Sequence, residues 1–181
     1  DDCFSSADIS GNIFREVATA ILIGGGRDNT MTNNLFIKCD RAFSIDARGL
    51  GWAKGVGEFA TKELMALNYK QPPWSIRYPE LLNILEDEPL APKGNVVARN
   101  ICWGGQWGST EPKAEPYVAF RDNLVETDPL FEDESNFTLR DGSPAFKLGF
   151  QRIPFEKIGL YQSEDRASWP VARSAGSPPE P

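Results

Sequence analysis

Histidine is absent from this chain of 181 residues. Its absence excludes Ser-His-Asp and Cys-His catalysis within the chain, and it excludes zinc sites built on imidazole. Cysteine is scarce, because Cys3, Cys39 and Cys102 are too few and too scattered for a disulfide framework or a four-cysteine metal site. At least one of the three must lack an intrachain partner, and buried, inert thiols are the simplest expectation.

Long apolar runs and clusters of basic residues are also missing. No stretch approaches the roughly 18 uninterrupted apolar residues of a membrane span, so no membrane insertion is expected. The formal net charge is −7 and no Lys/Arg cluster occurs, so a nucleic-acid partner is not expected. The composition, 40% hydrophobic and 25% charged, is that of a globular domain with a real core.

An internal repeat is the main feature that is present. The segment 10–23 aligns without a gap on 32–45, at an offset of 22 residues. Identical or similar residues coincide, and the clearest pairs are Asn12 with Asn34, Phe14 with Phe36, Ile23 with Ile45, Ile9 with Met31, and Ile13 with Leu35. A partial third copy at 97–102 places Val97, Asn100 and Cys102 at the positions of Ile9, Asn12 and Phe14.

A repeat of this length with short β-rich runs predicts a solenoid in which each copy is one coil. Strands of neighbouring coils would pair in parallel about 4.8 Å apart, so equivalent side chains would form columns. Apolar columns would point inward, and Asn12, Asn34 and Asn100 would form an asparagine ladder at a turn. The expected fold class is therefore all-β, a right-handed parallel β-helix with a short helical insertion and a C-terminal cap.

Several segments resemble secreted bacterial right-handed parallel β-helix proteins, which include pectate-lyase-like proteins and β-helix glycoside hydrolases. The resemblance lies in Gly-Asn-Ile-Phe at 11–14, the glycine-rich run 23–29, Asp-Ala-Arg-Gly at 46–49, and the C-terminal stretches 128–131, 136–139 and 142–149. It implies the C-terminal portion of such a protein and a secreted, periplasmic or cell-surface location. It specifies activity only weakly, since this fold carries lyases, hydrolases and non-catalytic proteins.

Four regions are expected along the chain. They are β-helix coils at 1–52, a helical or loop excursion at 53–93, the final coils and a capping segment at 94–170, and a disordered tail at 171–181. The repeat is already running by Ile9, so the N-terminal coil is expected to be covered by a missing upstream segment or by a partner chain.

The candidate catalytic cluster comprises Arg27, Asp28, Asp46 and Arg48. Both acids follow strands predicted to be neighbours, and one-coil spacing would place carboxylates near the roughly 5–5.5 Å of retaining glycosidases. An adjacent arginine would hold a carboxylate ionised or bind substrate oxygens. The alternative is that the four residues form ion pairs that cap turns.

Aromatic residues supply the candidate substrate-binding surface. Sugar rings present apolar faces that stack on aromatic side chains. The candidate binding residues are Trp52, Lys54, Trp74, Tyr78, Trp103 and Trp107. The alternative is that the aromatic rings pack the insertion onto the β-structure.

Three functions remain open, all with a polysaccharide or oligosaccharide as partner. The first is a glycoside hydrolase that acts through carboxylates including Asp28 or Asp46. The second is a polysaccharide lyase with Arg27, Arg48 or Lys54 as base, helped by calcium. The third is a non-catalytic glycan-binding or structural module. No metal site is expected from the residues, although calcium fits the lyase alternative.

Overall fold

The computed structural model describes residues 2–133 and 137–158. The chain divides into two compact units, 1–151 and 152–181. In the described part of the second unit, residues Phe155–Lys157 form a short 3-10 helix. All other elements belong to the first unit.

The strands of the first unit are short. They are β1 (Asp8–Ser10), β2 (Ile13–Arg15), β3 (Ile21–Gly24), β4 (Thr30–Thr32), β5 (Leu35–Ile37), β6 (Phe43–Asp46), β7 (Asn95–Ala98), β8 (Ile101–Trp103), β9 (Ser109–Thr110), β10 (Val118–Arg121), β11 (Leu124–Val125), β12 (Phe131–Asp133) and β13 (Thr138–Leu139). The α-helices are α1 (Lys54–Ala66), α2 (Trp74–Arg77) and α3 (Pro144–Lys147), and 3-10 helices lie at Arg48–Leu50, Pro79–Glu86 and Glu115–Tyr117.

Three parallel sheets bring successive copies of the repeat into register. Their strand orders are β1-β4-β7-β10, β11-β8-β5-β2 and β3-β6-β9, and β12 and β13 form a separate antiparallel pair. We call each copy a row: β1 to β3 form the first row, β4 to β6 the second, β7 to β9 the third, and β10 with β11 the fourth. The predicted pairings of Ile9 with Met31, Phe14 with Phe36 and Ile23 with Ile45 are confirmed.

Apolar columns between the sheets form the core. Met31, Phe36 and Val97 are fully buried, and the rings of Phe14 and Phe36 stack with centroids 5.3 Å apart. Burying a side chain of this size stabilises the folded state by roughly 1.5–3 kcal/mol. All three cysteines are free thiols, and Cys39 and Cys102 lie buried in this core.

Buried asparagines join the rows at a turn. The Asn34 amide nitrogen Nδ2 donates to the Ile9 carbonyl at 2.8 Å, and Asn34 Oδ1 accepts from the backbone and side chain of Asn12, both at 3.0 Å. Asn100 repeats the pattern one row later, accepting from Asn34 and donating to the Met31 carbonyl. Asn123 extends the column to the fourth row. Each buried asparagine thus satisfies backbone groups that a turn would otherwise leave unpaired.

The predicted fold class, an all-β right-handed parallel β-helix, is wrong. Among the described residues about 26% are strand and about 24% are helix, one sheet is antiparallel, and the strands do not close into a solenoid. The physical reason is that the strands are only two to four residues long, so parallel pairing covers only part of each row, and that helical segments after β6, β9 and β13 interrupt the series of strands. The architecture is mixed α and β, built on three short parallel sheets.

The insertion at 53–93 folds into helices, as its sequence pattern predicts. Helix α1 begins at Lys54, and the 3-10 helix begins at Pro79, a residue that suits the first turn of a helix. A Cβ on Gly57 would collide with the Leu90 side chain, and one on Gly49 would collide with the Leu90 carbonyl. The two glycines therefore let the end of the insertion lie directly against α1 and the turn after β6. Within the described residues, no helix is long and apolar enough to cross a bilayer.

The parallel sheets resume after the insertion. Strand β7 pairs with β4 of the second row and with β10 of the fourth. The repeat does not predict strands β10 and β11 or the fourth ladder residue, Asn123. The offset from Asn100 to Asn123 is 23 residues instead of 22, and the flanking residues differ. The predicted tail at 171–181 and most of the expected capping extension lie outside the described residues.

We expect Asn34→Ala to cost about 3 kcal/mol of unfolding free energy, because it strips hydrogen bonds from the buried neighbours of Asn34. Asn12→Ala is the matched control. Asn12 occupies the same ladder position but is exposed, so its loss should cost about 1 kcal/mol or less. Urea unfolding of both variants provides the comparison. Equal losses for Asn34→Ala and Asn12→Ala would contradict the role given to the buried column.

Candidate functional site

Two separate ion-pair clusters hold the four predicted catalytic residues. In the first, which we call the Arg48 cluster, Asp46 ends β6 and lies opposite Gly24 of β3. The Arg48 guanidinium donates to Asp46 through Nη2 at 2.7 Å and Nε at 3.0 Å, and Nη1 donates to Asp2 at 2.7 Å. The guanidinium also lies over the Trp52 ring, 5.3 Å from its centroid.

In the Arg48 cluster, Asp46 and Arg48 each stabilise the charged form of the other. Burial by itself raises the pKa of Asp46, but hydrogen bonds from the Arg48 side chain and backbone outweigh burial and hold that pKa below its ordinary value. Hydrogen bonding to Asp46 raises the pKa of Arg48, although burial opposes it. The Asp46 carboxylate is engaged by one arginine through both oxygens, which leaves it poorly placed to bind or attack a substrate.

The second cluster, which we call the Arg27 cluster, joins the insertion to the turn between β3 and β4. Arg27 donates to Asp28 through Nε at 2.8 Å, to Asp87 Oδ2 through Nη2 at 2.6 Å, and to the Asp87 carbonyl through Nη1 at 2.9 Å. Lys93 also pairs with Asp87. The Arg27 side chain is only 12% exposed, so these contacts form a clamp between two parts of the chain that are distant in sequence.

The same contacts shift the pKa values of Arg27 and Asp87 in the direction that favours their charged forms. Burial lowers the pKa of Arg27, but hydrogen bonds to Asp87 and Asp28 outweigh burial and raise it. Hydrogen bonding to Lys93 is the main cause that lowers the pKa of Asp87, and hydrogen bonding to Arg27 lowers it further. Because Arg27 and Arg48 both stay protonated, neither suits the role of proton-abstracting base that a lyase would require.

An apolar cavity of about 280 Å³ lies between the insertion and the first row. We call it the inner cavity. Its walls come from α1, the 3-10 helix Pro79–Glu86, the segment after that helix, and the turns that carry Arg27 and Asp28. The lining residues are Cys3, Ser5, Ser6, Gly25, Arg27, Asp28, Val56, Gly57, Ala60, Thr61, Leu64, Leu81, Ile84, Leu85, Pro89 and Leu90.

A second cavity, of about 310 Å³, adjoins the first, and we call it the aromatic cavity. Trp74 and Tyr78 are separated by one helical turn of α2 and stack with ring centroids 6.4 Å apart and planes inclined by 23°. Trp74 is 39% exposed and Tyr78 is 44% exposed, so both rings are accessible to a ligand. The lining residues are Ser6, Asp28, Leu64, Leu67, Tyr69, Trp74, Tyr78, Glu80, Leu81 and Ile84.

The two cavities share part of their walls. Ser6, Asp28, Leu64, Leu81 and Ile84 line both of them. Asp28 thus stands at the junction, with its side chain half exposed and one oxygen held by Arg27. It adopts a left-handed backbone conformation, φ 57°, and its backbone amide donates to the Lys93 carbonyl at 2.8 Å. The combination of carboxylates, aromatic faces and space makes the aromatic cavity the candidate ligand site.

The structure brings only some of the predicted residues to this site. Asp28, Trp74 and Tyr78 line the aromatic cavity, and Arg27 lines the inner one. Asp46, Arg48 and Trp52 form the separate Arg48 cluster. The remaining candidates lie elsewhere: Lys54 at the exposed start of α1, Trp103 at the end of β8, and Trp107 edge-on against core residue Phe43 at 4.8 Å.

Glu80, Asp87 and Leu64 are important here, although none of them is among the residues predicted to form the site. Glu80 follows Pro79 in the first turn of the 3-10 helix and lines the aromatic cavity. Asp87 is 60 residues from Arg27, and no spacing rule links the two. The available signal was the acidic residue beside a helix-starting proline, which marks a helix end but not a cavity.

Metal binding receives no support from the described residues. Across 2–133 and 137–158, no group of three or more Asp, Glu or Cys side chains is arranged to hold a metal ion. Comparison with family models, with curated proteins and with solved structures finds no match for this chain. The chemistry of the two cavities therefore carries the functional interpretation.

We expect the Asp46–Arg48 pair to stabilise the fold in a pH-dependent manner. The folded-state pKa of Asp46 lies below the value of about 3.9 in an unfolded chain, so the unfolded state takes up the proton first as pH falls. The stabilisation is complete above about pH 5 and is lost as pH falls through the folded-state pKa. Asp46→Asn should remove this contribution and flatten the acid side of the stability profile.

Urea unfolding between pH 2 and pH 6 measures this effect, with the pH range set by the usual titration of aspartate. Asp40→Asn is the control, because Asp40 is exposed and the described residues show no ion pair to it. It should keep the wild-type profile. If Asp46→Asn keeps the same acid-side slope as well, the pair does not stabilise the fold in this way.

Proposed function

We propose that this chain binds carbohydrate in the aromatic cavity. The observation that carries the proposal is the exposed, stacked pair Trp74 and Tyr78, which lines a cavity together with the carboxylates of Asp28 and Glu80. The apolar faces of a sugar ring pack on aromatic rings, and its hydroxyl groups donate to carboxylate oxygens. Both kinds of contact are available from a single cavity of about 310 Å³, near the lower end of the usual size for ligand pockets.

The position of the pair supports a binding role over a packing role. Ring side chains that only fasten the insertion to the sheets would be buried on both faces, as Tyr69 is at 5% exposure. Trp74 and Tyr78 are instead exposed to solvent. The short helix α2, which carries Trp74, has no buried residue. Exposed aromatic residues beside a cavity are typical of recognition sites.

Trp74→Ala should weaken carbohydrate binding by about 10-fold or more, since it removes the larger ring of the stacking pair. Titration calorimetry against a panel of methyl glycosides and short oligosaccharides measures the effect, and Tyr78→Ala should act in the same direction. Trp52→Ala is the matched control, because Trp52 is 78% exposed and lines neither cavity. Equal losses for Trp52→Ala and Trp74→Ala, or no binding by the wild type, would reject the proposal.

Glycoside hydrolysis is the second candidate function, and a specific observation favours it. Asp28 and Glu80 line the same cavity, and two carboxylates around one sugar site are the usual machinery of glycoside hydrolysis. This assignment replaces Asp46 by Glu80, because Asp46 is held by Arg48 away from either cavity.

If the chain hydrolyses glycosides, Asp28→Asn and Glu80→Gln should each lower the rate by about 100-fold or more. Asparagine tolerates the left-handed backbone of position 28, so the first variant should fold normally. Release of nitrophenol from nitrophenyl glycosides and of reducing ends from polysaccharides gives the rate. Asp46→Asn should retain activity. Carbohydrate binding by the wild type without any release would leave binding as the whole function.

A further inference from the structure

The inner cavity offers a ligand mainly hydrocarbon surface. Its walls include Val56, Ala60 and Leu64 of α1, and Leu85 and Leu90 from the last part of the insertion. Two of its polar lining residues, Ser5 and Arg27, are already engaged in hydrogen bonds within the protein. The Ser5 hydroxyl donates to the Cys3 carbonyl and accepts from the Arg27 amide, and the Arg27 guanidinium is shared between Asp28 and Asp87.

A sugar ring is a poor occupant of such a space. Hydroxyl groups transferred from water to apolar walls without new hydrogen bonds cost free energy, while methylene groups gain it. The apolar walls of the inner cavity therefore favour a hydrocarbon group, while the aromatic cavity adds the exposed ring faces of Trp74 and Tyr78 and the Glu80 carboxylate, which suit a sugar. Because they share Ser6, Asp28 and Leu64, one ligand can occupy both, with its polar part beside the aromatic rings.

We propose that the ligand is a glycoside with an apolar aglycone, an alkyl or aryl group that enters the inner cavity while the sugar stacks on Trp74 and Tyr78. This inference rests on the proposed function and adds the class of ligand. Asp28 stands where the glycosidic linkage would lie, at the junction of the two cavities. The inner cavity, about 280 Å³, suits an aglycone of medium size.

Paired glycosides test the inference directly. Methyl, butyl, hexyl and octyl β-glycosides of glucose, galactose, mannose and N-acetylglucosamine are titrated below their micelle-forming concentrations. Each buried methylene should tighten binding about threefold to fourfold, so the octyl compound should bind at least about 10-fold tighter than the methyl compound of the same sugar. Octanoate is the control for a chain without a sugar and should bind more weakly than the octyl glycoside.

Ala60→Phe places a ring in the inner cavity, because Ala60 lines that cavity and not the aromatic one. It should abolish the gain from a longer alkyl chain and leave methyl glycoside binding within about twofold of wild type. Ala66→Phe is the matched control on the same helix, since Ala66 is exposed and lines neither cavity. It should preserve the dependence on chain length.

The outcomes separate the two proposals. Methyl and octyl glycosides that bind equally well to the wild type overturn the aglycone inference and leave carbohydrate binding intact. Octanoate that binds as tightly as the octyl glycoside also overturns it, because the sugar then contributes nothing. If no glycoside of the panel binds, both proposals fail together. The chain-length series on the wild type decides the matter even if Ala60→Phe does not fold.

Discussion

The buried asparagine column is the constraint on which the rest of the structure depends. Strands of two to four residues make few backbone hydrogen bonds, and each row must turn between its strands. Asn34 and Asn100 supply the missing donors and acceptors at 0% and 1% exposure, and they fix the rows in register. With the register fixed, Phe14 meets Phe36 and Met31 meets Val97, so the apolar columns follow from the polar one.

The insertion acquires its place through contacts to this frame. Arg27 clamps Asp87, and the Leu90 segment lies against Gly49 and Gly57 where side chains would collide. These contacts hold α1 and the 3-10 helix beside the first row without filling the space between them, and the unfilled space forms the two cavities. The clamp residues thus position the candidate site, and Trp74, Tyr78, Asp28 and Glu80 line it.

Strand stacking alone does not predict where Asp28 lies relative to Asp46. The residue one repeat before Asp46 is Gly24, so stacking sets a glycine and not Asp28 beside that carboxylate. Asp28 lies beyond the glycine bend, where the backbone turns toward the insertion. Each acid meets its own arginine within one or two residues in sequence, and this local pairing separates the two clusters.

The sequence by itself determined the 22-residue register, the asparagine column over three rows and the helical nature of the insertion, because each depends on local or strictly periodic patterns. Tertiary structure alone decided that the fold is mixed α and β, which aromatic rings face a cavity, and that Asp87 pairs with Arg27 across 60 residues. Contacts between aperiodic segments depend on how the helices dock, and no spacing in the chain encodes that docking. Trp74 and Trp107 are therefore equivalent candidates in sequence, although one lines a cavity and the other packs on Phe43.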